Sequence, residues 1–172
     1  LKTQNPILLK QIKNIMGEDH FDIEDFIVAV ILYKLKPYIE GIADELESMF
    51  KEIIDEPQIK ESIRLALVAI RDRDPASGSY FNIILNYKGF QAVTLHRISH
   101  FTWMQNNKDL ALYLSNISSL VFSIDIHPAA SISGGLMIDH GTGVVIGETS
   151  VIDKNVTILQ NVTLGGTGKE QG

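Results

Sequence analysis

The chain contains no cysteine. Disulfides, thiolate metal sites and a covalent cysteine nucleophile are therefore excluded, and the composition fits a reducing, cytoplasmic setting. Basic residues are also scarce, with 15 Lys and Arg against 21 Asp and Glu and a net charge of −6. A nucleic-acid partner needs a basic face to neutralise phosphates, so this balance argues against one. No apolar run reaches the roughly 18 residues of a membrane span. The longest, from Phe26 to Leu35 and from Ile117 to Ile124, are short and interrupted. No secretory signal is visible at the start.

What is present is an ordinary globular composition, 45% hydrophobic and 21% charged over 172 residues, enough for one large domain or two small ones. The first two thirds carry helical periods. Ile39, Ile42, Ala43, Leu46, Met49, Phe50, Ile53 and Ile54 form a stripe at i, i+3, i+4 and i+7, and Phe26, Ile27, Val30 and Ile31 form another before it. Asp22 with Asp25 resembles a capped start to that earlier helix. Pro37 separates the two, and Pro57 opens a third that runs to about Ile70. Arg71 to Pro75 breaks the pattern, and Ala76 to Ser79 reads as a turn. Helices follow from about Tyr87 to Met104 and from about Leu110 to Phe122, linked by the loop Gln105 to Asp109.

After Ser123 the period changes to six. One phase places an aliphatic residue at Ile126, Ile132 and Ile138, and a second at Ile146, Ile152, Ile158 and Leu164. Such a hexapeptide repeat specifies a parallel β-helix, with one short strand per repeat, three repeats per coil and the aliphatic residue pointing inward. The fold class is α+β: an all-helical domain over 1–123, then a β-helix domain over 124–172. Because the chain opens on Leu1 and stops at Gly172 inside the repeats, further C-terminal coils are expected to be missing. The two phases are offset by two residues, and the slip falls on Asp139-His140-Gly141. A break in a packed ladder costs stability, which marks this turn as the place to look for function.

Asp125 lies 15 residues before His140, close to one coil, so the two are expected on neighbouring coils. A carboxylate on one imidazole nitrogen fixes the tautomer and makes the other a better general base. The alternative is a histidine hydrogen-bonded at a turn. Asp139 would point to a different face, either holding a cationic substrate group or serving as a polar turn residue. His127, before Pro128, reads as structural. His96 and His100, four apart on a helix, could form a metal pair, but no third ligand stands at a suitable spacing. They read as surface or packing residues, and no metal is expected. Leu164-Gly165-Gly166-Thr167-Gly168-Lys169 lacks the first glycine and the final hydroxyl of a phosphate loop. Its backbone could still hydrogen-bond an oxyanion or a pantetheine arm.

Several runs together resemble one family. They are Arg73-Asp74-Pro75-Ala76, Tyr87-Lys88-Gly89-Phe90, His96-Arg97-Ile98, Asp125-Ile126-His127-Pro128-Ala129-Ala130, Met137 to Gly143, Gly147-Glu148-Thr149 and Val162 to Lys169. In order and spacing, about residues 60 to 172 are similar to serine O-acetyltransferases, hexapeptide-repeat acyltransferases of cysteine biosynthesis. The resemblance implies a left-handed β-helix and acetyl transfer from acetyl-CoA to the hydroxyl of L-serine, giving O-acetyl-L-serine and CoA. It implies His140 as general base and Asp125 as its dyad partner. Asp74 and Asp139 would hold the serine, and Gly165, Gly166, Thr167 and Gly168 would contact the co-substrate. L-cysteine follows as a feedback inhibitor. A homo-trimer, or a hexamer of two trimers paired through the helical domains, is implied too, with O-acetylserine sulfhydrylase as a partner. Three other readings compete. A different hexapeptide acetyltransferase would keep His140 but would not need Arg73-Asp74-Pro75-Ala76. A β-helix metalloenzyme would need three histidines at a subunit interface. A non-catalytic scaffold would explain the repeats but not a dyad at the phase slip.

Overall fold

The computed structural model describes residues 5–16 and 22–166. Seven α-helices precede seven short strands in this part of the chain: α1 (Pro6–Met16), α2 (Ile23–Leu35), α3 (Ala43–Ile54), α4 (Pro57–Arg73), α5 (Tyr80–Asn86), α6 (Lys88–Met104) and α7 (Lys108–Phe122). The local chemistry accounts for most of the boundaries. Asp22 caps α2 by accepting from the Asp25 amide at 2.7 Å. Pro37 sits in a 3-10 turn at Lys36–Tyr38, so the chain tightens where an α-helix cannot continue. Pro57 occupies the first turn of α4, where its missing N–H has no partner to lose.

The helical stripe starts later than the sequence suggested. Ile39 and Ile42 precede α3, and Ile39 is buried while Ile42 is exposed. Two helices fall outside those expected. α1 is amphipathic, with Leu8, Ile12, Ile15 and Met16 on one apolar stripe packed on the core, while α5 has only seven residues, although Ser79 caps it by accepting from the Asn82 amide at 3.2 Å. α4 runs on to Arg73, and α7 begins at Lys108, inside the expected loop.

α6 and α7 pack along each other, and α7 ends on Ser123 in the left-handed conformation (φ 56°). The chain then enters β1 (Ile124–Ile126), β2 (Ser131–Ile132), β3 (Met137–Ile138), β4 (Val144–Ile146), β5 (Val151–Ile152), β6 (Thr157–Ile158) and β7 (Thr163–Leu164). All pairings are parallel, and each strand pairs with the one three along: β1-β4-β7, β2-β5 and β3-β6. The inward residues stack in register, Ile126 on Ile146, Ile132 on Ile152 and Ile138 on Ile158. Those partners are 20 positions apart, whereas Ile146 and its partner Leu164 are 18 apart. The two extra residues of the first winding fall between β3 and β4, where the sequence changes phase.

Helices and strands share one core. Phe26, Phe50, Phe90, Leu95 and Ile98 belong to the same buried cluster as Ile124, Ile132, Ile138 and Ile158. Polar side chains tie the two parts together. Arg97 on α6 donates to the carbonyls of Ile132 and Ser133. Arg73, closing α4, donates to the Gly135 and Val156 carbonyls, to Thr157 Oγ1 and to Asn155 Oδ1. Ser115 of α7 donates to the Ile126 carbonyl at 2.7 Å.

Candidate active site

The extra residues between β3 and β4 form a turn with an unusual backbone. His140, Gly141 and Gly143 all have positive φ, at 56°, 74° and 75°. Glycine takes this region freely, but a histidine there is strained unless its surroundings hold it. The turn is held by the Gly143 amide donating to the Ser123 carbonyl at 2.9 Å and the Asn161 amide donating to the Thr142 carbonyl at 2.9 Å. The His140 side chain is thrust outward and is 76% exposed.

The imidazole meets the helical part across a cleft of about 520 Å³ lined by Asp74, Tyr87, Lys88, Gly89, Asp139 and His140, among others. α6 approaches closely here. A Cβ built on Gly89 would lie 2.0 Å from the Ile138 carbonyl oxygen, so only glycine lets the first turn of α6 rest on β3. Asp74 follows α4 and is fixed at both oxygens. Oδ2 accepts from the Tyr87 hydroxyl at 2.7 Å, and Oδ1 accepts from the Ala76 amide at 2.8 Å. The Tyr87 hydroxyl, then the Ala76 amide and more weakly His140, hold the Asp74 carboxyl below its ordinary range. Burial and the neighbouring Asp74 carboxylate push the Tyr87 phenol up to about 12. Asp74 is thus a fixed anion facing an open space.

Asp139 does not point away, as the sequence had suggested. Its Oδ1 stands 3.9 Å from His140 Nε2, and both line the same cleft. The extra residues turn the backbone through left-handed conformations, so the alternation of a regular strand does not apply. Asp125 lies outside the cleft lining, exposed on β1 and in register with Val145, and forms no ion pair with His140 among the described residues. Together the cleft holds two carboxylates, a lysine and an accessible imidazole. This set can bind a cationic group and accept a proton beside it.

A family model described as the N-terminal part of serine acetyltransferase matches residues 2–94 of this chain. The chain belongs to the serine acetyltransferase family. A serine acetyltransferase of Haemophilus influenzae is 52% identical over 127 residues, covering 71% of this chain and 48% of its own length. The Arabidopsis thaliana serine acetyltransferase 1, chloroplastic, is 44% identical over 154 residues, covering 89% and 49%. The chain thus spans about half the length of the curated relatives it matches. Among solved structures, a serine acetyltransferase in complex with CoA superposes with a TM-score of 0.85 at 41% identity, covering 95% of this chain and 69% of that one. One in complex with cysteine gives 0.87 at 42%, covering 98% and 69%. The soybean enzyme complexed with serine gives 0.85 at 38%, also covering 98% and 69%.

The other residues of interest fall apart from the cleft. Gly165 and Gly166 are exposed just after β7, and Thr167 and Gly168 lie outside the described residues. His127 is structural, its Nδ1 accepting from the Ala129 amide at 3.1 Å and its ring edge-on to Trp103. His100 Nδ1 lies 2.7 Å from the Pro128 carbonyl. His96 is 2% exposed, and burial, then Arg97 and His100, push it well below its ordinary value. No group of three or more His, Cys, Asp or Glu among the described residues is placed to hold a metal ion. No helix among them is long and apolar enough to cross a membrane. Sequence reasoning missed Tyr87 and Lys88 as cleft residues. Their place at the start of α6, next to a glycine, was the available signal.

Proposed function

We propose that this chain carries the amino-acid-binding and proton-accepting part of an enzyme that transfers acetyl from acetyl-CoA to L-serine. The products are O-acetyl-L-serine and CoA, as an activating step toward cysteine. One observation carries the reading: in a chain of this family, the fixed Asp74 carboxylate, Asp139 and the exposed His140 imidazole line one cleft. The serine ammonium sits between the two carboxylates, which directs its hydroxyl at His140. The hydroxyl oxygen attacks the thioester carbonyl while the imidazole takes its proton. The tetrahedral intermediate then collapses, the C–S bond breaks, and the proton passes to the departing thiolate. No enzyme nucleophile is required, which agrees with the absence of cysteine.

Asp125 is the dyad partner in this reading. The Ser123 carbonyl accepts from the Gly143 amide, so the start of β1 lies one rung beneath the His140 turn. The backbone amides at Gly165, Gly166, Thr167 and Gly168 would serve the acetyl-CoA side. The strands form a left-handed parallel β-helix joined to a helical domain near Ile124. In this reading the chain assembles into trimers, with pairing of the helical domains giving hexamers. L-cysteine, serine with sulfur in place of oxygen, would occupy the same cleft as an inhibitor. A sulfhydrylase partner and a cytoplasmic location complete the reading.

The test is thiol release from acetyl-CoA by the full-length protein, comparing L-serine with L-homoserine and a sugar acceptor. Serine should be strongly preferred, and His140→Ala should lose roughly 10²–10⁴ in kcat with the fold retained. Release with a sugar but not with serine would overturn the assignment, as would a fully active His140→Ala.

A further inference from the structure

Lys88 sits at the first position of α6, a place that opposes its charge. A helix N-terminus carries partial positive charge, so a lysine there is disfavoured, and acidic residues are the usual choice. The first turn of α6 has no acidic residue, and although Asp74 and Asp139 line the same cleft, Lys88 forms no ion pair with them. Its ammonium instead reaches the β3–β4 turn and donates to Thr142 Oγ1. Thr142 lies inside the strained turn, between left-handed Gly141 and Gly143 and two residues after left-handed His140. Its carbonyl already accepts from the Asn161 amide on the neighbouring rung. The turn is therefore gripped from the strand side by backbone and from the helix side by one lysine. Gly89, the next residue, rests on the Ile138 carbonyl just before Asp139 and His140, so the backbone that carries Lys88 is fixed against the same turn. A local rule broken without gain in stability points to a role in function.

We propose that Lys88 is a positioning residue: through Thr142 it holds the turn in the conformation that presents His140 to the cleft. The role rests on His140 being the general base, as in the reading above. Lys88 touches no reacting atom. It lowers the freedom of the backbone that carries the imidazole, and a proton acceptor held within a few tenths of an ångström of its target works faster than one that wanders.

The test uses the full-length protein with Lys88→Met, Lys88→Arg, Thr142→Val and the Met–Val double variant. Lys88→Met and Thr142→Val should each lower kcat about ten- to a hundredfold. KM for serine should change by less than about threefold, because uniform binding is untouched. The double variant should lose no more than either single one, since both remove one contact. Lys88→Arg, which keeps the cation and a donor, should recover most of the rate. Thr142 is exposed, so Thr142→Val keeps the test meaningful even if Lys88→Met folds poorly. A rise in KM with kcat unchanged in Lys88→Met, while Thr142→Val is silent, would overturn the proposal and make Lys88 a binder of the substrate carboxylate. Additive losses would overturn it too. Amide hydrogen exchange gives a readout without turnover. The Gly143 amide should exchange faster in Lys88→Met and Thr142→Val, while amides in α2 and α3 are unchanged. If the unsubstituted protein transfers no acetyl to serine, the functional reading fails, yet the exchange data still decide the clamp: unaltered Gly143 exchange would refute it.

Discussion

Replacing Gly89 with alanine sets two opposed effects against each other, and the structure says which prevails. Alanine is the better helix former by about 1 kcal/mol in a helix interior, and by less in a first turn. Against that gain stands the Ile138 carbonyl oxygen, 2.0 Å from the new methyl carbon, where real contacts essentially never fall below 3.0 Å. α6 and β3 must separate by about 1 Å, an overpacking shift that costs typically 1–3 kcal/mol. Little local relief is available. The Asp139 amide donates to the Ile158 carbonyl at 2.8 Å and the Met137 amide to the Val156 carbonyl at 3.0 Å, so β3 is pinned to the next rung on both sides of Ile138. α6 is buried from Gly89 through Ser99 and cannot slide without opening the core. The clash therefore wins. At about 2–4 °C per kcal/mol for a chain of this size, the expected fall in Tm is roughly 2–12 °C. Asp139 and His140 follow directly, so kcat should drop as well, by up to about a hundredfold for a 1 Å displacement. Thermal melting by circular dichroism and the thiol-release assay measure both quantities. A Gly89→Ala protein with the original Tm and kcat would refute the close approach of α6 to β3.

Other substitutions probe the rest of the reasoning. Tyr87→Phe removes the hydroxyl that contributes most to the lowered pKa of Asp74. Asp74 should then protonate at higher pH, moving the acid limb of kcat/KM for serine upward; an unshifted limb would mean that Asp74 does not bind the ammonium. By the same linkage, the stability from an ionised Asp74 is present above its unfolded pKa and lost as pH falls through the lower folded value. Asp22→Ala should cost α2 about 1 kcal/mol, with a Tm fall of roughly 2–4 °C and unchanged kinetics. Arg73→Met removes four contacts between the end of α4 and the strand region. It should cost about 2 kcal/mol in urea unfolding and raise KM for serine, because Asp74 is the next residue. L-cysteine should compete with serine in inhibition kinetics; non-competitive behaviour would place it elsewhere.

The parts of the fold legible in the sequence were those with a strong period. The six-residue ladder located the strands, and the change of phase located the turn, because a hydrophobic period is dictated directly by what must be buried. α6 shows where this fails. It is buried on nearly every side, so no polar stripe marks its orientation, and the burial of His96 and Arg97 could not be read from it. α5 is too short for a stripe, and Ile39 is buried without being helical, which mimicked an earlier start to α3. At the cleft, Asp74 and His140 stood out through motif and phase slip. The orientation of Asp139 did not, because it depends on left-handed residues after it that only coordinates display. Lys88 escaped notice for a related reason: its contact spans 54 positions and depends on how helix and turn are packed.

The common core has a mechanical meaning. Because aromatic residues of the early helices and the isoleucine ladder belong to one buried cluster, neither half has an interior of its own to fall back on. Loosening either half strips apolar cover from the other, so both should melt in one cooperative step. A small molecule wedged between the end of α4 and the β3–β4 turn would brace that seam, and its grip would register as far away as the capped start of α2.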